Sequence, residues 1–173
     1  QRGGLKSDSD SSKSSGGSAD QRKQDNDDTY EQIRLSLAAD IDNGLAEVER
    51  DGDKVIVRLA SQGSFVSGSA NLQPSFAGLL MRVGNALSVS KGKVRVEGHT
   101  DNIPVAFSER FNSNWDLSAA RSASVADFFA DNSELDQSAI TVAGFADTRP
   151  IDSNNTAAGR ARNRRIEVIV DGS

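Results

Sequence analysis

Cysteine is absent from the 173 residues, and histidine occurs once, as His99. Without cysteine there are no disulfides, thiol nucleophiles, thiolate metal sites or acylated N-terminal cysteine. With one histidine, a zinc site of the usual kind has at most one imidazole ligand, so a zinc hydrolase is not expected. Aromatic residues are only 5% of the chain, too few for a sandwich or barrel organised around aromatic packing. No apolar run reaches the ~18 residues of a bilayer span, and the first residues lack the charged start and apolar stretch of a signal peptide. The formal net charge is −5 and the sequence pI about 4.9, which argues against a nucleic-acid partner.

What is present is a 36% hydrophobic composition, enough for one medium-sized domain with a core, plus a polar tail. Residues 1–28 are Ser, Gly, Asp, Lys and Gln with almost nothing apolar, and are expected to be a disordered linker. Such a coil spans roughly 30 Å on average and about 95 Å pulled straight. Residues 29–45 read as an amphipathic linker helix, with Ile33, Leu37, Ile41 and Leu45 four apart and Asn43-Gly44 as its stop. The domain proper is then 46–173. It opens with a hairpin turning at Asp51-Gly52, where Val55, Val57 and Leu59 alternate on the return strand. A polar connection from Gln62 to Asn71 carries Phe65. Pro74 opens a helix with Phe76, Leu79, Leu80, Val83 and Leu87 on one face, ended by Gly92. Val94–Gly98 is a strand, Trp115–Ala130 a helix, Ile140–Gly144 a strand, Ala157–Asn163 a short helix and Ile166–Val170 the last strand. On the second helix Leu117, Ala120, Ser124 and Phe128 lie near one face, with Val125 and Phe129 beside it. Strands separated by helices, plus one hairpin, predict an α+β fold: a two-layer sandwich of a mixed β-sheet covered by helices.

Three stretches ask for more than a structural reading. Gly98-His99-Thr100-Asp101-Asn102-Ile103-Pro104 runs from a strand end into a loop, where side chains commonly bind ligands. Asn114-Trp115-Asp116-Leu117-Ser118-Ala119-Ala120-Arg121 enters a helix, whose first N–H groups attract anions. Gly159-Arg160-Ala161-Arg162-Asn163-Arg164-Arg165-Ile166 is a basic cluster in an acidic chain. Together with Gly144, Pro150 and Asn155-Thr156, these stretches resemble, in order, the OmpA-like peptidoglycan-binding family over about Phe65 to Val170. Within that family, Thr100–Pro104 and Ser113–Ser118 resemble flagellar stator proteins of the MotB and PomB type, with PomB favoured by overall likeness.

The resemblance implies a non-enzymatic module that grips the diaminopimelate-containing stem peptide of peptidoglycan, anchoring a flagellar stator to the cell wall. The free end of diaminopimelate carries an ammonium and a carboxylate. The resemblance gives Asp101 the ammonium and Arg121 the carboxylate, which suits an acceptor and a planar fork. Thr100, Asn114 and Leu117 match positions lining the same site, and the family's terminal arginine pair falls on Arg164 and Arg165. It further implies a periplasmic location with an inner-membrane tether preceding Gln1, a homodimer, and a channel-forming partner subunit of the MotA/PomA type. No catalytic residue, metal or cofactor is expected. Simpler readings stand beside these. Asp101 and Arg121 can pair with each other as a surface ion pair. The arginine cluster can be a solvated face, His99 a hydrogen-bonded structural residue, and Trp115 a helix-entry residue packed on the domain. Phe65, Phe76, Phe128 and Phe129 are expected in the core. The alternative functions are the wall-tethering domain of an outer-membrane OmpA-like protein and, remotely, a peptidoglycan hydrolase, for which no serine-elbow motif or distinctive pair of carboxylates is visible.

Overall fold

The computed structural model describes residues 15–90, 92–105 and 110–171. In chain order the elements are α1 (Ser15–Ser36), α2 (Ala38–Asp42), β1 (Ala46–Asp51), β2 (Lys54–Ala60), α3 (Pro74–Leu87), β3 (Val94–His99), α4 (Asn114–Asn132), β4 (Ile140–Gly144), α5 (Ala157–Asn163) and β5 (Arg165–Asp171). A single 3-10 turn at Gln137–Ala139 precedes β4. The five strands form one sheet in the order β1-β2-β5-β3-β4. Only β3 and β4 run parallel; the other neighbours are antiparallel. This is the mixed, helix-covered α+β sandwich that the pattern predicts.

Strand alternation creates the core. Val55, Val57 and Leu59 of β2 lie opposite Val170, Val168 and Ile166 of β5, and Val94 and Val96 of β3 complete the same face. All eight are buried. Against them pack Phe76, Leu79, Leu80, Val83 and Leu87, the predicted stripe of α3, and Val125 and Phe129 of α4. Each such side chain taken fully out of water contributes on the order of 1.5–3 kcal/mol. Phe65 and Phe76 meet with ring centroids 5.3 Å apart, and Phe128 packs at the margin. The hairpin turns on Gly52-Asp53, one residue later than expected, with Gly52 at φ +58° as a type II′ turn requires at its first central position.

Three expectations change. Residues 1–14 of the expected linker lie outside the described residues, whereas residues 15–28 are helical, as the first part of α1. This apolar-poor segment makes polar contacts with the hairpin through Asn26 and Asp27. Asn26 Nδ2 donates to Gly52 O at 3.0 Å, Asp27 pairs with Arg50, and Arg50 stacks on Tyr30. The expected stripe then holds for Ile33 and Leu37, both fully buried, and for Ile41, but not for Leu45, which is exposed. Gly44, at φ +74°, turns the chain before that residue. The buried face of α4 is also rotated from the expected one and runs Leu117, Ser118, Arg121, Ser122, Val125 and Phe129. The cause is close backbone contact. A Cβ on Gly98 would sit 2.2 Å from Ser118 O, and one on Gly144 2.5 Å from Ala119 N.

The sheet face away from the core carries a charged ladder. Arg58 reaches Glu47, Glu49 and Glu167; Arg165 also bonds Glu167, and Arg95 bonds Glu97. Glu97 and Glu167 face each other directly across β3 and β5, a repulsive register unless countered. Arg95 on Glu97 and Arg58 and Arg165 on Glu167 counter it, and His99 Nε2 lies between the two carboxylates, 3.4 Å from an oxygen of each. His99 is thus the buried, hydrogen-bonded histidine expected. Glu97, His99 and Glu167 bring metal-ligand atoms within 4.8 Å of one another, yet the arginines already occupy both carboxylates, so the group reads as structural.

Burial would raise the Glu167 carboxyl, but hydrogen bonds from His99 and Arg58 and the charge of Arg165 outweigh it and hold it at about 2. Glu97 is likewise lowered, its burial outweighed by His99 and Arg95. A carboxyl depressed in the folded state adds stability that is complete above its unfolded pKa and is lost as pH falls through the folded one. Urea unfolding should therefore show stability falling between about pH 4.5 and about pH 2, the ordinary and folded values for Glu167. In Glu167→Gln this fall should be shallower and the stability at pH 7 lower. An unaltered acid slope would remove Glu167 from that role.

Candidate functional site

Three segments that are far apart in sequence meet at one end of the sheet. The register places Ala60, His99 and Arg165 side by side there, so the chain leaving β2, the chain leaving β3 and the chain entering β5 emerge together. The first two turns of α4 stand over this end. Ser113 caps the helix, its Oγ accepting from Asp116 N, and residues 114, 117 and 121 then fall on one face. Between these segments lies a cavity of about 780 Å³. Thr100, Asp101, Asn114, Leu117, Arg121 and Arg164 all line it, and residues of the 61–73 loop form its remaining wall.

The loop after β3 is fixed by its own side chains. Asp101 Oδ1 accepts from Ile103 N at 3.0 Å, and Asn114 Nδ2 donates to Ile103 O at 3.0 Å. Thr100 N donates to Ala146 O at 2.9 Å, and Ser118 Oγ accepts from Ala146 N at 3.1 Å. Ala146 is the one described non-glycine residue with positive φ, at 53°. These two bonds hold it in that strained conformation directly behind the site.

The charges are arranged asymmetrically. Asp101 Oδ2 accepts from Arg164 Nη1 at 2.5 Å, and Asp101 itself is buried. Arg121 is only 9% exposed, donates Nε to Ser69 O at 2.8 Å, and lies 4.8 Å over the Phe65 ring. Among the described residues no carboxylate pairs with it. Burial first, and the neighbouring Arg164 guanidinium second, lower its pKa to about 10, so it remains charged at neutral pH. A buried guanidinium aimed at open volume without a counter-ion is costly, and an arriving carboxylate relieves that cost.

Six of the seven site residues expected from sequence are therefore brought together. Arg165 is not. It is buried on the other side of the β5 entry, bonded to Glu167, Asn163 O and Arg149 O, because neighbouring side chains along an extended chain point in opposite directions. Arg160 and Arg162 are also tied into structure, to Asn154 O and to Asp152 and Glu47. The simple Asp101–Arg121 pair does not form; Arg164 takes that place. Trp115 is half exposed and not packed into the domain as expected. The sequence reading missed the 61–73 wall, where Gln62, Gly63, Gly68 and Gln73 line the cavity. Its signal was two glycines, both at positive φ, in a polar connection.

This sheet, with its cleft between the β3 exit and the start of α4, defines an OmpA-like domain. The OmpA family model matches residues 64–164, and the chain belongs to that family. Motility protein B of Bacillus subtilis is 31% identical over 125 residues, covering 72% of this chain and 48% of that protein. The chain thus spans about half of that relative's length. Among solved structures, the cell wall anchor of the T6SS from Pseudomonas aeruginosa is 40% identical, with TM-score 0.77, covering 82% of this chain and 97% of that one. The periplasmic domain of Helicobacter pylori MotB shares the fold at 21% identity, with TM-score 0.67, covering 73% of this chain and 81% of that one.

Proposed function

We propose that the cavity holds the free end of diaminopimelate in the stem peptide of peptidoglycan, and that the chain is a non-enzymatic, non-covalent wall grip. The observation that carries this reading is Arg121, a buried cation with no carboxylate partner among the described residues, facing a cavity that also contains Asp101. Arg121 takes the ligand carboxylate and Asp101 accepts from the ammonium, while Asn114, Thr100 and Leu117 fix and floor the site. Arg164 orients Asp101. In the full assembly this grip anchors a flagellar stator in the periplasm. The stator has an inner-membrane tether, a channel-forming partner subunit of the MotA/PomA type and a second copy of the chain. The likeness to motility protein B supports this assignment. In this reading residues 46–173 grip the wall and residues 1–45 connect them to the tether. A second reading, wall anchoring of a secretion machine, is favoured by the 40% identity to the T6SS anchor.

Sedimentation with purified sacculi tests the grip. The chain should pellet with sacculi, free diaminopimelate should compete it off, and Asp101→Asn should weaken binding about tenfold or more, the loss expected for one charge-assisted contact. Undiminished pelleting of Asp101→Asn would refute the assignment. Grafting the domain onto a motility protein B or a T6SS anchor lacking its own separates the two machines, by whether swimming or secretion is restored.

A further inference from the structure

Among the described residues, three charged side chains line the cavity: the carboxylate of Asp101 and the guanidinia of Arg121 and Arg164, one negative and two positive charges, a formal +1. Asp101 is already shared, with Oδ2 held by Arg164 and Oδ1 by Ile103 N. Arg121 meets a neutral carbonyl and an aromatic ring. A simple zwitterion brings no net charge, so seating one between Asp101 and Arg121 leaves a full positive charge uncompensated within a partly desolvated space. That surplus sits on Arg164. Its side chain is 34% exposed, and among the described residues its side-chain hydrogen bonding, to Asp101, uses Nη1 alone. The rest of its fork is free to bind a second anion without releasing Asp101.

We propose that the cavity takes an anchor group with two carboxylates and one ammonium, Arg121 holding the carboxylate beside the ammonium and Arg164 the second carboxylate. The inference rests on the diaminopimelate reading and narrows it. Such a group is a diaminopimelate residue with both carboxyls free, net −1 against the +1 of the described lining. A stem that continues beyond diaminopimelate has converted one of these carboxyls to a neutral amide. The reaction class that supplies the preferred ligand is therefore peptide hydrolysis that trims the stem back to diaminopimelate. A cavity of about 780 Å³ has room for both carboxylates at once.

Calorimetric titration with two soluble ligands tests this. One is the tripeptide L-alanyl-γ-D-glutamyl-meso-diaminopimelate; the other is the same tripeptide with the carboxyl remote from the free ammonium converted to carboxamide. The chain should bind the first about tenfold or more tightly than the second. In Arg164→Gln that ratio should collapse to less than about twofold, with folding checked by circular dichroism melting. Should Arg164→Gln not fold, Arg164→Lys, which keeps the charge but loses the fork, should lower the ratio in its place. Equal affinity of the wild-type chain for both ligands overturns the two-carboxylate proposal and leaves the diaminopimelate reading standing. A ratio that persists in the folded Arg164 variants overturns the role of Arg164. Absence of binding to either ligand overturns the diaminopimelate reading, and this inference with it.

Discussion

Arg121→Met should abolish sedimentation with sacculi while leaving the melting temperature within about 4 °C of wild type. A change of 1 kcal/mol moves a domain of this size by about 2–4 °C. Methionine is flexible and of comparable length, so it can fill the space over Phe65. What folding loses is the Nε bond to Ser69 O and the contact with the Phe65 ring, each on the order of 1 kcal/mol. What folding gains is relief from keeping a cation out of water beside Arg164, the two effects that lower its pKa to about 10. The terms oppose each other, and the net is small. Binding has no such compensation. A guanidinium–carboxylate fork forms two charge-assisted bonds, each worth on the order of 1.5–3 kcal/mol, so affinity should fall about 100-fold or more. This separation of binding from stability marks a residue kept for a ligand rather than for the fold. Pelleting at wild-type level by Arg121→Met would sink the assignment. Loss of binding together with a melting point lowered by more than about 10 °C would show a folding role instead.

Gly98→Val should cost stability on the order of 3 kcal/mol or more and remove binding at the same time. A Cβ at position 98 would lie 2.2 Å from Ser118 O and 2.7 Å from Ser122 Oγ, where no carbon atom fits. The obstruction is helix backbone, so α4 must move away from β3, and overpacking of this kind costs about 1–3 kcal/mol and occasionally more. Leu117 and Arg121 ride on that same helix, opposite Asp101 on the β3 side. Displacing α4 therefore widens the gap that a ligand has to bridge. Gly84→Ala is the control. Its Cβ would approach the Ser133 side chain at 3.0 Å and Phe129 at 3.4 Å, far from the cavity, so a milder loss of stability with binding retained is expected. Urea unfolding and sacculus sedimentation measure both quantities. Equal losses in the two variants would mean that the close approach at Gly98 has no special importance.

Much of the architecture was legible because it rests on local periodicity. The α3 stripe, the hairpin and the five later elements follow from apolar spacing, Pro74 and the Gly/Asp turns. The helical start of α1 was not legible, because residues 15–28 carry no apolar stripe and are held by Asn26 and Asp27 to a hairpin that no local pattern connects with them. The face of α4 was misplaced for a related reason. Its docking depends on glycines in two distant strands rather than on the hydrophobicity of its own residues. Within the site, Asp101 and Arg121 stood out by family pattern, but the Asp101–Arg164 bond depends on β5 inserting between β2 and β3, a matter of strand order. Strand order likewise decides which of Arg164 and Arg165 enters the cavity. Side-chain alternation alone gives opposite directions for the two, but not which one enters the cavity.

The position of Asn26 beside the hairpin turn has a mechanical consequence. Gly52 lies at the pole of the sheet opposite the one where β2, β3 and β5 meet the cavity, so the N-terminal part of α1 and the cavity sit at the two extremities of the strands. A pull between them runs lengthwise along the strands. Interstrand bonds of antiparallel pairs lie across that direction, so the whole ladder is sheared together instead of being unzipped one rung at a time.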